Sequence, residues 1–336
     1  MKNLLYIGNK LQQANKTVTT IETLSENLKQ VKFNVVTASN KRSKIIRLLD
    51  MLYHIVINRK KTDYVLIDTY STLNFYYAYL CSKLCSTFNL KYIPILHGGE
   101  LPNRLKKSPR LSNFIFKNAY LNVAPSNYLM SHFEKEGYEN LKYIPNTIEL
   151  KNYAFNQRCI DKIKLLWVRS FTNIYNPTLA IKILKALKDE NIEAELCMVG
   201  PDNDGSLKEA QVLAKKFKIN VKFTGILPKK EWIELSKHYN VFINTTNVDN
   251  TPVSVIEAMA LGLPVISTNV GGLPFLITNQ VEGMLVAPND AGGFVRAIKK
   301  LRNESLLTDQ MIINARKKVE LFDWQEVKHQ WIKILS

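Results

Sequence analysis

The chain has 336 residues, 46% of them hydrophobic and 22% charged, a balance that provides ample core and excludes a mainly disordered polypeptide. Its formal charge of +17 is unevenly carried, residues 1–146 holding 21 Lys and Arg against 9 Asp and Glu; this favours nucleic acid, anionic lipid surfaces or phosphorylated substrates as partners without choosing among them. The length exceeds what one core usually supports, and no apolar run reaches the roughly 18 residues that a spanning helix requires.

Four cysteines without a paired framework, and a start without a basic-then-apolar leader, fit a reducing cytosol. Cys81 and Cys85 stand four apart on a helix-length segment and read as buried thiols, since a metal pair would need further ligands. In the first half, strand candidates fall at 4–8, 31–39, 63–71, 91–98, 119–126 and 142–146, several as near-continuous apolar runs of the kind buried on both faces. Helix-length segments separate them, which is the βαβα pattern of a mostly parallel sheet. The second half repeats it at 162–170, 194–201, 220–227, 240–246, 264–271 and 283–288. Two doubly wound α/β domains are expected, divided near Pro145-Asn146-Thr147, with ligands at the carboxyl ends of the strands and a site in the cleft between domains.

The loop after the first strand, 8–20, has one glycine, Gly8, and neither a dinucleotide fingerprint nor a P-loop; it reads as a polar connection or a substrate-binding loop. Residues 43–57 are apolar over most of a helical circumference, with Lys41, Arg42, Lys44 and Arg47 at one end and Arg59, Lys60 and Lys61 at the other. Too short to span a bilayer, the segment is either an interfacial helix whose basic flanks meet anionic headgroups or a helix half buried against its own sheet. His97-Gly98-Gly99 ends the fourth strand, where imidazole and bare backbone can approach a ligand. The basic stretch that follows, with Arg104, Lys106, Lys107 and Arg110 around two prolines, reads as a loop that grips an acceptor phosphate or is merely solvated.

Arg169 closes the first strand of the second half, where a guanidinium can clamp a diphosphate bidentately. Gly200 and Gly225 sit in strand-to-loop turns that flank a base pocket or are only turns. The stretch 249–264 reads as a helix of about three turns: Asn250 or Thr251 as cap, Pro252 at the first helical position, Gly262 and Pro264 as the stop. Its unpaired N–H groups form an anion site, and Glu257 lies about 7 Å down the axis, a ribose-to-diphosphate distance. Residues 324–335 space their apolar side chains as a packing helix.

Ala124-Pro-Ser126, Gly137, Tyr143-Ile-Pro-Asn146, Val199-Gly-Pro201, Phe223-Thr-Gly225, Asp249-x7-Glu257-Ala-Met-Ala-x-Gly-Leu-Pro-Val265 and Val270-Gly-Gly272 follow one another in an order that resembles the family 4 glycosyltransferases. These are retaining enzymes of the GT-B fold, two Rossmann-like domains facing across a cleft. The likeness covers nearly the whole chain and is clearest over 120–300. It implies an acceptor domain over 1–146, a nucleotide-sugar donor domain over 147–320, and a helix over 321–336 packing back toward the first domain. It implies that Glu257 holds the ribose hydroxyls, that Asn250, Thr251, Pro252 and Val253 meet diphosphate or sugar, that Arg169 neutralises the leaving diphosphate, and that His97 lies beside the transferred sugar. Gly200 falls on the donor side; Gly8, Lys41, Arg42, Arg59, Lys60, Lys61, Arg104, Lys106 and Lys107 fall on the acceptor or membrane side.

Three positions depart from the family. Asp249 stands where the first glutamate of the usual pair would be, which gives it a catalytic place with a shorter arm. The family's diphosphate lysine would fall on Ile174 or Tyr175, with Lys229 and Lys230 as substitutes, and Asn15 to Thr20 replace a glycine pair in the first loop. The expectation is a metal-independent retaining transferase without a cofactor, the nucleotide sugar being a substrate, which moves a sugar from a UDP- or GDP-linked donor to a glycan or lipid-linked oligosaccharide in surface polysaccharide biosynthesis. It would be cytoplasmic and peripheral on the inner face of an anionic membrane. Asp202-x-Asp204 reads as turn chemistry rather than a metal motif. The alternatives are a sugar-nucleotide epimerase of the same fold, against which Gly262-Leu-Pro-Val265 argues, and a basic nucleic-acid-binding protein, which lacks any aromatic-basic module.

Overall fold

The computed structural model describes residues 1–10 and 19–336, which form two compact units, 1–146 together with 324–336, and 147–323. The first unit is built on six strands: β1 (Asn3–Ile7), β2 (Asn34–Ala38), β3 (Tyr64–Thr69), β4 (Tyr92–Leu96), β5 (Asn122–Ala124) and β6 (Leu141–Tyr143). They lie parallel in the order β2-β1-β3-β4-β5-β6. Helices α1 (Thr20–Gln30), α2 (Lys44–Asn58), α3 (Asn74–Thr87), α4 (Leu101–Lys107), α5 (Pro109–Lys117) and α6 (Asn127–Lys135) connect them. The apolar runs are continuous because the sheet is covered on both faces: Leu4 and Tyr6 join the core under α1, whereas Leu5 and Ile7 join that under α2 and α3.

The second unit repeats the plan with β7 (Ile163–Val168), β8 (Ala194–Val199), β9 (Lys222–Gly225), β10 (Val241–Asn244), β11 (Val265–Thr268) and β12 (Met284–Val286), parallel in the order β12-β11-β10-β7-β8-β9. Its helices are α7 (Pro177–Asp189), α8 (Ser206–Lys216), α9 (Lys229–Ser236), α10 (Val253–Ala260), α11 (Leu273–Leu276), α12 (Ala291–Asn303) and α13 (Ser305–Glu320). A last helix, α14 (Trp324–Leu335), places Trp324, Val327, Trp331 and Leu335 in the core of the first unit beside α1. All twelve strands expected from the sequence are present; β1 is shifted by one residue, β6 begins one residue early, and the others are shorter than expected.

Strand order reverses between β1 and β3 in the first unit and between β7 and β10 in the second. In open parallel sheets a crevice opens outside the carboxyl ends of the strands at such a reversal. Gly8 and Asp68 therefore stand at the first switch point, with His97 on the next strand end; Arg169 and the 245–249 loop stand at the second.

Two local expectations are corrected. Helix α10 starts at Val253 and runs eight residues, about two turns; its N-cap is Pro252, extended at φ −68° and ψ 118°, and neither Asn250 nor Thr251 caps it. The basic stretch after His97 is not a loop but α4 and α5, because Pro102 and Pro109 fall in first turns, where a missing N–H is no loss. Most of the Asn15 to Thr20 segment, through residue 18, lies outside the described residues.

Candidate active site

In the second unit, Arg169 follows β7 directly and Asp249 follows β10, so the parallel pairing of these two strands brings the side chains together. Arg169 Nη2 donates to Asp249 Oδ2 as a part-buried ion pair. The guanidinium also lies 3.8 Å from the ring centre of Tyr175, a cation–π contact, and Thr245 Oγ1 holds that segment by donating to the carbonyl of Tyr175 at 2.9 Å. Burial pushes the Asp249 carboxyl above its usual range, while the charge of Arg169 and the N–H of Asn250 pull the other way.

The surrounding loops are shaped to bring backbone close. A Cβ on Gly272 would lie 1.8 Å from the Asn250 carbonyl oxygen, so the Gly271-Gly272 turn is seated against the 249–250 backbone, and the Gly272 N–H donates to the Asp249 carbonyl at 3.0 Å. Gly200, at φ +149°, passes so near Arg169 that a Cβ would lie 1.8 Å from its carbonyl oxygen. Gly200 thus fixes the backbone of the arginine. Several polar atoms on segments bordering this switch point are buried without a hydrogen-bond partner: Arg169 Nε, Thr172 Oγ1, Asn244 Oδ1 and Ser254 Oγ. Groups of this kind left without a partner among the described residues cost roughly 1–3 kcal/mol each, so each is a place where a polar ligand group can be received.

Glu257 is the fifth residue of α10 and is buried. Its Oε1 accepts from the Tyr153 hydroxyl at 2.7 Å and pairs with Lys229 Nζ at 2.6 Å, while Oε2 carries neither contact. Arg316 pins the group by donating to the carbonyls of Tyr153 and Ala260 at 3.0 and 2.6 Å. Burial and the adjacent Glu257 charge raise the Tyr153 phenol far above its ordinary value, so it stays a donor.

In the first unit, His97 Nε2 stands 2.9 Å from Asp68 Oδ1, and the Tyr6 hydroxyl donates to the same oxygen at 2.8 Å. The imidazole stacks on Tyr70 with ring centres 5.0 Å apart. Asp68 Oδ2 is buried without a partner among the described residues, and a Cβ on Gly8 would lie 2.5 Å from it. With Nε2 donating to Asp68, the neutral ring presents Nδ1 as an acceptor. Burial, then the Asp68 charge, raise the Tyr6 phenol, which remains a donor.

Other residues singled out in the sequence fall elsewhere. Arg104 does not offer a free guanidinium: its Nε donates to the Ser71 carbonyl at 2.8 Å and its plane covers Phe75 at 5.2 Å. Lys41, Arg42, Arg59, Lys60 and Lys61 are exposed at the two ends of α2, and Lys106 and Lys107 are exposed on α4. Asp202 accepts from the Gly205 N–H at 2.9 Å and Asp204 from the N–H of Asn173 and Ser206 at 2.9 and 3.1 Å; both carboxylates hold turns.

Residues 154–318 match the family model "Glycosyl transferases group 1". The chain carries a glycosyl transferases group 1 domain. Arg169, Asp249, Glu257 and Lys229 all lie within it, and Tyr153 stands one residue before it. Over 298 residues the chain is 25% identical to protein CapJ of Staphylococcus aureus, covering 84% of this chain and 73% of CapJ. Three further curated relatives are spanned over 28%, 40% and 60% of their length. Sucrose-phosphate synthase from Thermosynechococcus elongatus superposes with a TM-score of 0.82 at 15% identity, over 99% of this chain and 98% of that one. HepE of Anabaena, solved with UDP and glucose, gives 0.78 at 15% identity over 100% and 99%. The fold is GT-B: two parallel six-stranded sheets with flanking helices.

Within the glycosyltransferase domain the sequence pointed to Arg169, Asp249 and Glu257 separately. It missed that the first two pair and that Tyr153 and Arg316 frame the third. Of Ile174 and Tyr175, the two positions on which the family's lysine would fall, Tyr175 stacks its ring on Arg169 and Ile174 is exposed. Lys229, named as a substitute, lies on Glu257. In the first unit Asp68, Tyr6 and Tyr70 were all missed. The available signal was an aspartate near the end of an otherwise apolar run, Val65-Leu66-Ile67-Asp68, where a charge needs a partner.

Proposed function

We propose that this glycosyltransferase is a retaining, family 4 enzyme that moves a sugar from a nucleotide diphosphate donor, UDP- or GDP-linked, to a glycan or lipid-linked oligosaccharide in surface polysaccharide biosynthesis. The observation that carries the reading is the set of groups after the strand ends of the second unit: a part-buried guanidinium with one unused N–H, hydroxyls without a partner among the described residues, and a carboxylate held by one oxygen five residues into a helix. Diphosphate charge suits Arg169 and the α10 N-terminus; a ribose diol suits Oε2 of Glu257. The solved HepE complex with UDP and glucose, of the same fold, is consistent with such a donor.

Departure of the diphosphate builds negative charge, and Arg169 is the group to neutralise it. Asp249 competes for that guanidinium, and its carboxylate can accept sugar hydroxyls as the arginine turns to phosphate. The pair in the first unit, Asp68 and His97, is assigned a sugar-hydroxyl contact through Nδ1. No metal takes part in this reading, nor does a cofactor or a nucleic-acid partner, and the protein works as a peripheral, cytoplasmic enzyme.

Nucleotide release measured with a panel of UDP- and GDP-sugars tests it. One donor should turn over, and Glu257→Ala should remove most of that turnover. No release with any donor and acceptor, or full activity in Glu257→Ala, would sink the reading.

A further inference from the structure

Helix α2 buries one side and leaves the opposite side bare. Met51 and Ile55 lie fully in the core with Leu48 and Leu52 packed against it. Ile45, Ile46, Leu49, Tyr53, Val56 and Ile57 are all exposed, Ile45 at 73%, Leu49 at 61% and Tyr53 at 60%. At 100° per residue these six fall within an arc of about 120° on the side away from Met51 and Ile55. Twenty large apolar side chains are exposed among the described residues, and six sit on this one 15-residue helix. Helix α3, packed beside it, adds Tyr76 and Leu80, and Leu73 precedes it at the same spacing. A concentration of this kind is not ordinary monomer surface.

The charges around the stripe select what covers it. Lys41, Arg42 and Lys44 are exposed where α2 begins, and Arg59, Lys60 and Lys61 where it ends. The helix's one acidic residue, Asp50, is half-buried at the edge of the arc, 3.8 Å from His54. An apolar stripe with cations at both ends and no exposed carboxylate matches the boundary of an anionic bilayer, where acyl chains lie below a layer of phosphates. A protein partner would have to supply both a hydrophobic groove and two separate acidic clusters. Among the described residues no helix is long and apolar enough to cross a membrane, so such attachment is lateral.

We propose that α2, with the neighbouring edge of α3, is a membrane-docking face that lies in the headgroup region of an anionic bilayer, with Ile45, Leu49 and Tyr53 inserted and the two basic clusters on phosphate. The face needs no nucleotide sugar, so it stands or falls independently of the donor assignment.

Co-sedimentation of the full chain with vesicles of phosphatidylglycerol and phosphatidylcholine, against phosphatidylcholine alone, reads it directly. Binding to the anionic vesicles is expected, at least tenfold weaker on the neutral ones and weakened by 0.5 M salt at about the Debye length of a few ångströms. The triple variant Ile45→Ser, Leu49→Ser, Tyr53→Ser alters exposed side chains only. It should keep its circular dichroism and its nucleotide release in detergent-free solution with a soluble acceptor, yet lose vesicle binding at least tenfold. Arg59→Glu, Lys60→Glu, Lys61→Glu should lose binding to anionic vesicles specifically. The proposal is overturned if the wild-type chain ignores anionic vesicles, if both variants bind them as the wild type does, or if the serine variant instead abolishes a concentration-dependent dimer while vesicles go unbound.

Discussion

At the first switch point the charge is locked inward: Asp68 is 1% exposed, a tyrosine and the imidazole share one of its oxygens, and Gly8 closes on the other. At the second, Arg169 and Asp249 keep 12% and 13% of their side chains accessible, one guanidinium N–H is unused, and the Lys229 that holds Glu257 is half exposed. The same type of parallel sheet thus carries a closed set of charges in one unit and a partly open set in the other, which under the function proposed above act as a frame and as an exchangeable set. A group that orients another must not move, whereas a group that receives a diphosphate must be able to change partners. The contrast predicts that substitutions in the second unit strike donor binding and stability together with transfer, and that those in the first strike turnover with donor binding and stability spared.

The largest effect is expected from Arg169→Met. It strands the Asp249 carboxylate in a buried setting, which costs about 3–5 kcal/mol when one member of such a pair is removed. Unfolding followed by tryptophan fluorescence should show that loss, with transfer abolished. Arg169→Met combined with Asp249→Leu should regain most of the stability and none of the activity; recovery of activity would dissolve the exchangeable-charge reading. Next comes Glu257→Ala, which removes hydrogen bonds to a charged group worth about 1.5–3 kcal/mol, or roughly 10- to 150-fold in nucleotide affinity by titration calorimetry. Lys229→Met should cost under tenfold, because a half-exposed ion pair is screened.

The frame is tested by Asp68→Asn, which preserves volume and removes charge. Turnover should fall about a hundredfold, the lower end of what a positioned proton-transfer group contributes, with donor affinity unchanged. Gly8→Ala should act in the same direction, since its Cβ would collide with Asp68 Oδ2. If either variant weakened nucleotide binding while sparing turnover, the division of labour between the units would be reversed.

The fold was legible because period and burial carry it: most central strands, such as β1, β3, β4 and β7, are apolar runs long enough to be read, and Pro102, Pro109 and Pro177 start helices where chain stiffness dictates. Single candidate side chains were legible where a charge interrupts such a run at a strand end, as Arg169 does after Leu165-Leu166-Trp167-Val168. Pairings were not. Arg169 and Asp249 are 80 residues apart, Tyr153 and Glu257 are 104 apart, and His97 and Asp68 are 29 apart. Arg169 and Asp249 meet because β7 and β10 are neighbours in a permuted strand order, His97 and Asp68 because β3 and β4 lie side by side, and Tyr153 reaches Glu257 from a connecting segment; no local pattern encodes these contacts. The capping of α10 failed for a smaller reason: Pro252 took the extended conformation that a cap requires, displacing Asn250 and Thr251 from the role their side chains suit.

The smallest effect distinguishes a carboxylate that is comfortable in its pair from one held against its solvation. Asp249 has its folded pKa raised, burial outweighing Arg169. The folded unit therefore binds a proton on this group more readily than the unfolded chain does. The associated stability is present in full below the unfolded carboxylate value and is lost as pH rises through the folded one. Asp249→Asn carries no such proton. Melting of the two proteins side by side should show the wild type gaining on the variant as pH is lowered from neutral through the raised pKa into the ordinary carboxylate range, the remaining titrations cancelling in the difference. A gap that moved the other way would mean that Arg169 holds Asp249 below its usual value, as a permanent salt bridge would, and the pair would then belong to the frame instead of to the exchangeable set.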